Sequence, residues 1–176
     1  MNRLFYFFLF TAALIPTAQA QLALKINLPS LLDGNIYLSG ELPLSPSFGM
    51  EQEIGLNTAR IFAALYTGFG YNLYARTYGK FYFQKETHAG FYLSPYLDAS
   101  IGSLAEIAGV QGAGPSSLRW AAGGAAGYKW QIGEHLLLEG AFGYSHAFIN
   151  RLEPPGLRNP GLLARAMIGY RFSGRM

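Results

Sequence analysis

The sequence contains no cysteine, and only 13% of its 176 residues are charged. Without cysteine, a disulfide-stapled scaffold and a thiolate metal site are excluded. The charged fraction is about half of the roughly 25% that is usual in soluble domains. The net charge is only +3, so we expect no polycationic surface for nucleic acid. A disordered chain is excluded as well, because such chains are poor in apolar residues, whereas 51% of these residues are hydrophobic.

Long apolar runs are missing after the first twenty residues, since Gly, Pro or a charge interrupts each of them. The apolar run at residues 4–15 is shorter than the about 20 residues that a membrane-spanning helix needs. It follows Arg3 and leads to a small-x-small sequence that ends at Ala20. These features are typical of a secretory signal peptide. We therefore expect residues 1–20 to be a signal peptide cleaved after Ala20, and residues 21–176 to form the exported outer-membrane domain.

The exported part alternates between apolar residues and polar or small residues, which is the pattern of β-strands with one apolar face. In residues 118–132 the even positions include Trp120, Tyr128 and Trp130, whereas the odd positions are small, polar or charged. The same alternation recurs along the chain. It predicts eight strands, at approximately 22–30, 34–43, 47–57, 74–84, 88–102, 118–132, 134–148 and 161–172.

Connections of two lengths alternate between these strands. The connections after the second, fourth and sixth strands are short, and those after the third, fifth and seventh are long. Short turns at one end and long loops at the other are typical of outer-membrane barrels. The sequence therefore predicts an all-β fold: an eight-stranded antiparallel up-and-down transmembrane β-barrel in the bacterial outer membrane. Residues 58–73 suggest either a short interfacial helix or rim strands.

A soluble lipocalin-like barrel would show the same alternation with its apolar face inside. Two features favour the membrane alternative. The polar face is rich in Gly, Ala and Ser, whereas a soluble exterior carries dense charge. The apolar face has large aromatic residues near the strand ends, as the interfacial girdles of membrane barrels do. The predicted girdle comprises Trp120, Tyr128, Trp130, Phe142, Tyr144, Phe148, Tyr170 and Phe172.

In this membrane barrel the polar face lines a narrow lumen. Its predicted charges are the cations Lys25, Arg76, Lys80, Arg119, Lys129, Arg165 and Arg171 and the carboxylates Glu41, Glu51, Glu53, Asp98 and Glu139. Unpaired charge in a poorly hydrated interior is costly, so we expect these groups to form an ion-pair network. Small barrels are filled by their own side chains, which favours a plugged lumen. The alternative is a selective polar pathway, in which the two excess positive charges would favour anions.

Several segments together resemble a known family. They are Leu24–Leu28, Gly34–Ile36 leading to Glu41 and to Leu44-Ser45, Gly90–Tyr96, Gly127–Trp130 and Leu138–Tyr144. In this order they resemble a group of Bacteroidetes-type outer-membrane proteins, filed as domain of unknown function 3575. More broadly, the chain is similar to small barrels of the OmpA, OmpX and OmpW style. The resemblance covers most of the exported chain and implies an outer-membrane location, with no established activity and no catalytic residues.

The C-terminal part of the last strand carries a further resemblance. Gly169–Phe172 looks like the aromatic signal that is read by the barrel-insertion machinery, although four more residues follow Phe172. We therefore expect the insertion machinery, outer-membrane lipid and lipopolysaccharide to be partners of the chain.

Residues for catalysis or metal binding are sparse. The histidines His88, His135 and His146 do not show metal-ligand spacing, and we expect neither a metal nor a cofactor. Ser145 and His146 are neighbours, so on a strand they point to opposite faces and do not make a nucleophile–base pair. We therefore expect a non-enzymatic protein with a structural or surface-interaction role. The alternatives are transport of small apolar molecules and a lipid-modifying enzyme with a Ser–His–acid cluster at the outer rim.

Overall fold

The computed structural model describes residues 22–32, 35–57, 72–84, 89–103, 116–151 and 161–172. These residues form eight strands and one short helix: β1 Ala23–Asn27, α1 Leu28–Leu32, β2 Asn35–Ser45, β3 Phe48–Asn57, β4 Asn72–Tyr82, β5 Gly90–Ser103, β6 Ser116–Ile132, β7 Leu136–Arg151 and β8 Gly161–Arg171. The signal peptide expected at residues 1–20, its cleavage site and the alternative structures suggested for the loop after β3 lie outside the described residues.

The strands form a closed antiparallel barrel. Each strand pairs with the next one along the chain, and β8 pairs with β1. The predicted all-β, eight-stranded up-and-down barrel is therefore confirmed. The strand bounds lie within three residues of those expected from the alternation.

The two ends of the barrel have different connections. Short turns join β2 to β3, β4 to β5 and β6 to β7 at one end, which we call the turn end. Gly133, in the turn between β6 and β7, has a φ of 65°, a left-handed conformation that glycine adopts without steric cost. The strand ends that are joined by residues 58–71, 104–115 and 152–160 lie at the opposite end, which we call the loop end.

The first strand is shorter than predicted, because residues 28–32 form the helix α1. The alternation continues through Leu28, but Pro29 has no backbone N–H for a strand ladder and fits the first turn of a helix. The hydroxyl of Ser30 donates a 2.7 Å hydrogen bond to the carbonyl oxygen of Asn27, at the point where the chain changes from strand to helix. In the part of the chain that the structure covers, no helix is long and apolar enough to cross a membrane.

The helix α1 occupies a place in the wall that β1 does not reach. β1 pairs with β8 only as far as Met167, and α1 packs against β2 and β8 beyond that point. The side-chain oxygen of Asn27 lies 3.4 Å from the backbone nitrogen of Ala166, so it accepts a long hydrogen bond from a β8 group beyond the β1 ladder. The wall is therefore closed by strand pairing in one part and by a helix in the other.

The alternating sequence turns its charged residues into the lumen and its large apolar residues outward. Lys80 and Glu51 are fully buried, whereas Phe142 on the outer face is 63% exposed. This distribution is the reverse of the one in a soluble barrel, where the apolar residues form the interior.

Candidate functional site: the charged lumen

Among the residues that the structure describes, ten charged side chains form one network of ion pairs in the lumen, and every strand supplies at least one of them. β1 supplies Lys25, β2 Glu41, β3 Glu51 and Glu53, β4 Arg76 and Lys80, β5 Asp98, β6 Lys129, β7 Glu139 and β8 Arg165. Because the strands alternate, each of these residues lies on the inward side of its strand. The network holds five cations and five carboxylates, so its formal charge is zero.

The centre of the network lies around Lys25 and Lys80. The Lys25 ammonium lies 2.6 Å from the Glu41 carboxylate and 2.7 Å from the Glu139 carboxylate, and it also pairs with Glu51. Lys80 pairs with the same three carboxylates, at 3.3 Å from Glu41, 2.6 Å from Glu51 and 2.7 Å from Glu139. Lys129 adds a third ammonium to Glu41. The Lys25–Glu41 and Lys80–Glu51 pairs join neighbouring strands, and the other contacts cross the lumen between strands that are not neighbours in the sheet.

Arg165 and Arg76 extend the network toward the loop end. Arg165 pairs with Glu51, lies 3.1 Å from Glu53 and lies 3.7 Å from Glu139. Arg76 lies 3.6 Å from Glu53 and 2.8 Å from Asp98. Glu53 therefore joins the central group to the Arg76–Asp98 pair, and the ten residues form one connected set.

Tyrosines of β4 and β5 supply additional hydrogen bonds to the carboxylates. The Tyr82 hydroxyl donates to Glu41 at 2.5 Å, and the Tyr92 hydroxyl donates to Glu139 at 2.6 Å. The Tyr78 hydroxyl accepts a 2.9 Å bond from Arg76 and lies 3.3 Å from Glu53. Hydrogen bonds of this kind satisfy carboxylate oxygens that ion pairs alone would leave incompletely solvated.

The faces of the same tyrosine rings cover the cations. The Lys80 ammonium lies 4.5 Å from the centre of the Tyr92 ring, and the Lys129 ammonium lies 4.6 Å from the centre of the Tyr82 ring. The Arg165 guanidinium lies 4.3 Å from the centre of the Tyr78 ring. All three separations are within the range of cation–π attraction. The lumen tyrosines therefore bind both kinds of charge, through the hydroxyl and through the ring.

Small residues of β6 make room for these rings. Gly127 pairs with Tyr92, and Gly123 pairs with Tyr96. A Cβ atom at Gly127 would overlap the Tyr92 hydroxyl, and a Cβ atom at Gly123 would overlap the Tyr96 ring. The Gly- and Ala-rich inward face of β6 is therefore a packing partner of the tyrosines on β5.

Two of the twelve charges predicted in the lumen lie toward its ends, outside the ten-member network. Arg171 is near the turn end, where its guanidinium donates a 2.7 Å hydrogen bond to the Gln131 side chain. Arg119 lies toward the loop end of β6, where its register partner on β5 is Ser100. The ten-member network is itself neutral, and the expected excess of two positive charges is carried by these two arginines at the ends of the inward face.

The residues predicted for the aromatic girdle lie on the outer face. Seven of them have exposed side chains: Tyr128, Trp130, Phe142, Tyr144, Phe148, Tyr170 and Phe172. Trp120, the eighth, is only partly exposed and lies beside a register shift between β6 and β7. Outward aromatic contacts also occur at the turn end, between Phe48 and Phe81 and between Phe83 and Phe91.

The sequence pattern does not predict a role for two groups of aromatic residues, the inward tyrosines and the four phenylalanines at the turn end. The alternation puts the inward tyrosines of β4 and β5 on the polar face of their strands, but it does not identify them as partners of the charges. Their signal is the alternation of tyrosine with charged residues along β4 and β5, while phenylalanine occupies the opposite face. The four phenylalanines at the turn end are not part of the predicted girdle, because that prediction includes only residues of the last three strands and Phe172.

The chemistry of the cluster favours internal charge compensation. Carboxylate oxygens of Glu41, Glu51 and Glu139 lie within 4.8 Å of one another, a spacing that a metal ion can bridge. The ammonium groups of Lys25 and Lys80 already contact all three carboxylates. The protein thus supplies its own counter-cations at this point.

The adjacent Ser145 and His146 point in opposite directions, as the strand period predicts. Ser145 is buried in the lumen, where its hydroxyl lies 3.4 Å from the Gly161 carbonyl oxygen. His146 is exposed on the outer face. The two side chains are therefore separated by the barrel wall.

Comparison with known proteins adds no relative to this description. No protein-family model, no curated protein and no solved structure matches the chain. The resemblance to domain of unknown function 3575 stays a prediction.

Proposed function

We propose that the protein is a non-enzymatic outer-membrane β-barrel whose lumen is closed by the ten-member network. Its role is structural or is carried by surface interactions. The observation that carries the proposal is the composition of the network, which balances five cations with five carboxylates and takes members from all eight strands. Such a set fixes the strands to one another, and its own formal charges cancel.

The distribution of side chains supports a membrane location. Large apolar residues remain exposed all around the outer face, among them Leu38, Leu97, Phe142 and Leu162. In water this surface would favour aggregation, whereas a bilayer solvates it. Aromatic residues near the strand ends match the interfacial position that such rings prefer in membrane barrels. Outer-membrane lipid and lipopolysaccharide are the partners that this surface would contact.

The lumen favours closure over conduction. A narrow eight-stranded barrel has space for its own side chains but little for a water-filled channel. Here that space contains buried ion pairs, with the ammonium groups of Lys25 and Lys80 fully shielded from solvent. An ion that crossed the lumen would have to break several of these pairs. The longer connections at the loop end are then the segments available for recognition of a surface partner.

The exposed Phe172 supports recognition by the insertion machinery. Its ring is 48% exposed on the outer face, beside Tyr170 at a centroid distance of 5.0 Å. An outward aromatic pair at the end of the last strand is accessible before the barrel enters lipid.

Heat-modifiability tests the proposed location most directly. The purified protein would be refolded into detergent micelles and into lipid vesicles, and its gel mobility in cold SDS would be compared with that after boiling. We expect a mobility shift only on boiling, a β-type circular dichroism spectrum and flotation with the vesicles. Solubility without detergent, with no shift and no flotation, would contradict the membrane location.

Transport of small apolar molecules is a second candidate, favoured by the helix α1 in the wall. On the loop-end side of β1, the helix α1 lies between β2 and β8. Its side chains Leu28 and Leu31 are partly exposed, and Leu32 is 90% exposed. A helix can be displaced without breaking a strand ladder. This position therefore offers a route between the lumen and the bilayer.

A single-cysteine variant separates the two candidates, because the chain has no cysteine of its own. Leu31→Cys would be labelled with a bulky maleimide, and entry of an apolar fluorescent probe into lipopolysaccharide-containing vesicles would be followed. Transport requires protein-dependent entry that the label changes. The structural role requires the same entry rate as in protein-free vesicles.

A further inference from the structure

Three polar side chains interrupt the apolar outer face, and two of them are neighbours near its middle. If aromatic residues and strand ends are left aside, the polar residues at outward positions of the described strands are Gln52, Thr77 and His146. His146 lies beyond the last residue of β7 that pairs with β8. Gln52 and Thr77 are register partners in the middle of β3 and β4. They therefore lie within the band of the barrel that the proposed function places in hydrocarbon.

The hydrogen bonding of this pair is incomplete. The Thr77 hydroxyl donates a 2.6 Å hydrogen bond to the Gln52 side-chain oxygen. The Gln52 amide nitrogen has one contact, 3.4 Å to the Glu53 carbonyl oxygen, which exceeds the usual N–H···O range of about 2.7–3.2 Å. One of its two N–H groups thus has no partner among the residues that the structure describes. An unsatisfied donor is costly in hydrocarbon, where no water replaces the missing acceptor.

Gln52 lies in an apolar groove on the outer face. The groove has a volume of about 580 Å³ and is lined by residues of β1, β2 and β3, including Leu38, Gly40 and Ile54. Gly40 leaves the groove open, because a Cβ atom there would lie 3.7 Å from Leu24, at ordinary contact distance. Space for a larger side chain is therefore present at this position.

A ridge separates this groove from a second one. The second groove has a volume of about 390 Å³ and includes Ile26, Leu136 and Ile168 in its lining. Leu24 and Leu38 line both grooves, and Leu38 is 56% exposed. The outer face of β1–β3 thus presents an apolar ridge beside a groove. We call this surface the ridge face.

We infer that the ridge face binds a second copy of the same chain in a two-fold arrangement. A two-fold interface requires a self-complementary surface, and a ridge beside a groove meets that requirement. A primary amide has both donors and acceptors, so two Gln52 side chains can satisfy each other across the axis. An acyl chain would fill the groove but offers no acceptor to the free N–H. This inference rests on the proposed function, which places the ridge face in lipid.

Cysteine cross-linking tests the interface, since the chain is free of cysteine. Leu38→Cys places a thiol on the ridge, and Phe142→Cys places one at an exposed outward position of β7 as a matched control. Both variants would be reconstituted into phosphatidylcholine vesicles over a series of protein-to-lipid ratios and oxidised. We expect a cross-linked dimer from Leu38→Cys and monomer from Phe142→Cys. Equal cross-linking of both variants, or none at any ratio, would overturn the inference.

Two further substitutions, made in the Leu38→Cys background, test the groove and the amide separately. Gly40→Leu fills the groove, and Gln52→Leu removes the amide. Gln52→Leu is expected to weaken dimerisation by about tenfold, the scale of polar contacts in membranes. Gly40→Leu is expected to weaken it as well, because the added side chain occupies the space that the partner's ridge would enter. The control is Gly124→Leu on β6, where a Cβ atom would meet nothing within 4 Å. Dimerisation that is insensitive to both ridge-face substitutions, or equally sensitive to Gly124→Leu, would also overturn the inference.

Flotation and the heat-dependent mobility shift, measured on every sample, separate the two proposals. Protein that floats and shifts but does not cross-link through the ridge would remove the dimer and leave the membrane location intact. Protein that neither floats nor shifts would overturn both proposals together.

Discussion

The centre and the loop-side edge of the lumen network differ in how many partners each carboxylate has. At the centre, Glu41, Glu51 and Glu139 each contact three cations. At the edge, Asp98 has one cation partner among the described residues, Arg76, and one of its carboxylate oxygens has no hydrogen-bond partner there. The centre therefore distributes each charge over several strands, whereas the edge depends on one pair.

This difference indicates where the network contributes most to stability. Removal of a central carboxylate leaves several buried cations undercompensated, and a buried charge without compensation is strongly destabilising. Removal of the edge carboxylate affects a single guanidinium that retains Glu53 as a neighbour at 3.6 Å. The comparison therefore predicts a gradient of mutational effects from the centre to the edge.

The largest loss is expected for Glu139→Gln, which keeps the shape of the side chain but removes its charge. Lys25, Lys80 and Arg165 would each lose a carboxylate partner. We expect the free energy of unfolding to fall by about 3–5 kcal/mol, as for other broken buried ion pairs. Urea titration in lipid vesicles, followed by tryptophan fluorescence, would measure it.

The control for this variant is Glu134→Gln in the turn between β6 and β7, where the carboxylate is 89% exposed. Its effect should be close to zero, because an exposed ion pair contributes little. Equal losses from the two substitutions would show that the network is not a source of stability.

A smaller loss is expected for Asp98→Asn at the edge. One charge-assisted hydrogen bond to Arg76 is weakened, which corresponds to about 1.5–3 kcal/mol. The same urea titration would compare it with Glu139→Gln. A loss at the edge that matches or exceeds the loss at the centre would contradict the gradient.

Gly127→Ala tests the packing between β5 and β6. The added Cβ atom would overlap the Tyr92 hydroxyl and displace it from Glu139. We expect a loss of about 1–3 kcal/mol, as for other overpacked sites. Gly124→Ala is the matched control on the outer face of the same strand, where the space is open. Its unfolding midpoint should stay near that of the wild type, and a drop equal to that of Gly127→Ala would rule out the packing explanation.

The smallest loss is expected for Tyr92→Phe, which removes the hydroxyl but leaves the ring over Lys80. The missing hydrogen bond corresponds to about 1.5 kcal/mol. Tyr144→Phe, on the exposed outer face, should leave the unfolding free energy unchanged. If both substitutions had the same effect, the Tyr92 hydroxyl would not be part of the network.

The fold and the inward face could be predicted from the sequence because the strand period is short and regular. Alternation assigns a residue to a face, and this assignment brought Lys25 and Glu139 to the same lumen although they are 114 residues apart. Alternation does not give the height of a residue along the barrel, which depends on the stagger between strands. Arg119 and Arg171 have the inward parity but lie toward opposite ends of the barrel, so their place relative to the network was not predictable.

The helix α1 and the roles of the tyrosines show two further limits of the pattern. Leu28 continues the strand period, so the alternation predicts a first strand that runs to residue 30. The strand ends at Asn27 instead, and the only local sign of that end is Pro29. The alternation puts Tyr82 and Tyr92 on the polar face, but it does not show that their partners are residues of β2 and β7. Contacts across the lumen determine which carboxylate each hydroxyl binds. These contacts join strands that are not neighbours, so no periodic pattern in the sequence predicts them.

Potassium efflux from lipid vesicles tests most directly whether the network closes the lumen. The wild type would be compared with the Lys25→Ala/Glu139→Ala double variant, which leaves the net charge of the lumen unchanged but removes two central members. Both proteins would first be shown to float with the vesicles and to shift on boiling. Closure by the network predicts no efflux above that of protein-free vesicles for the wild type, and measurable efflux for the double variant. Steady efflux through the wild type, or no efflux through either protein, would contradict it.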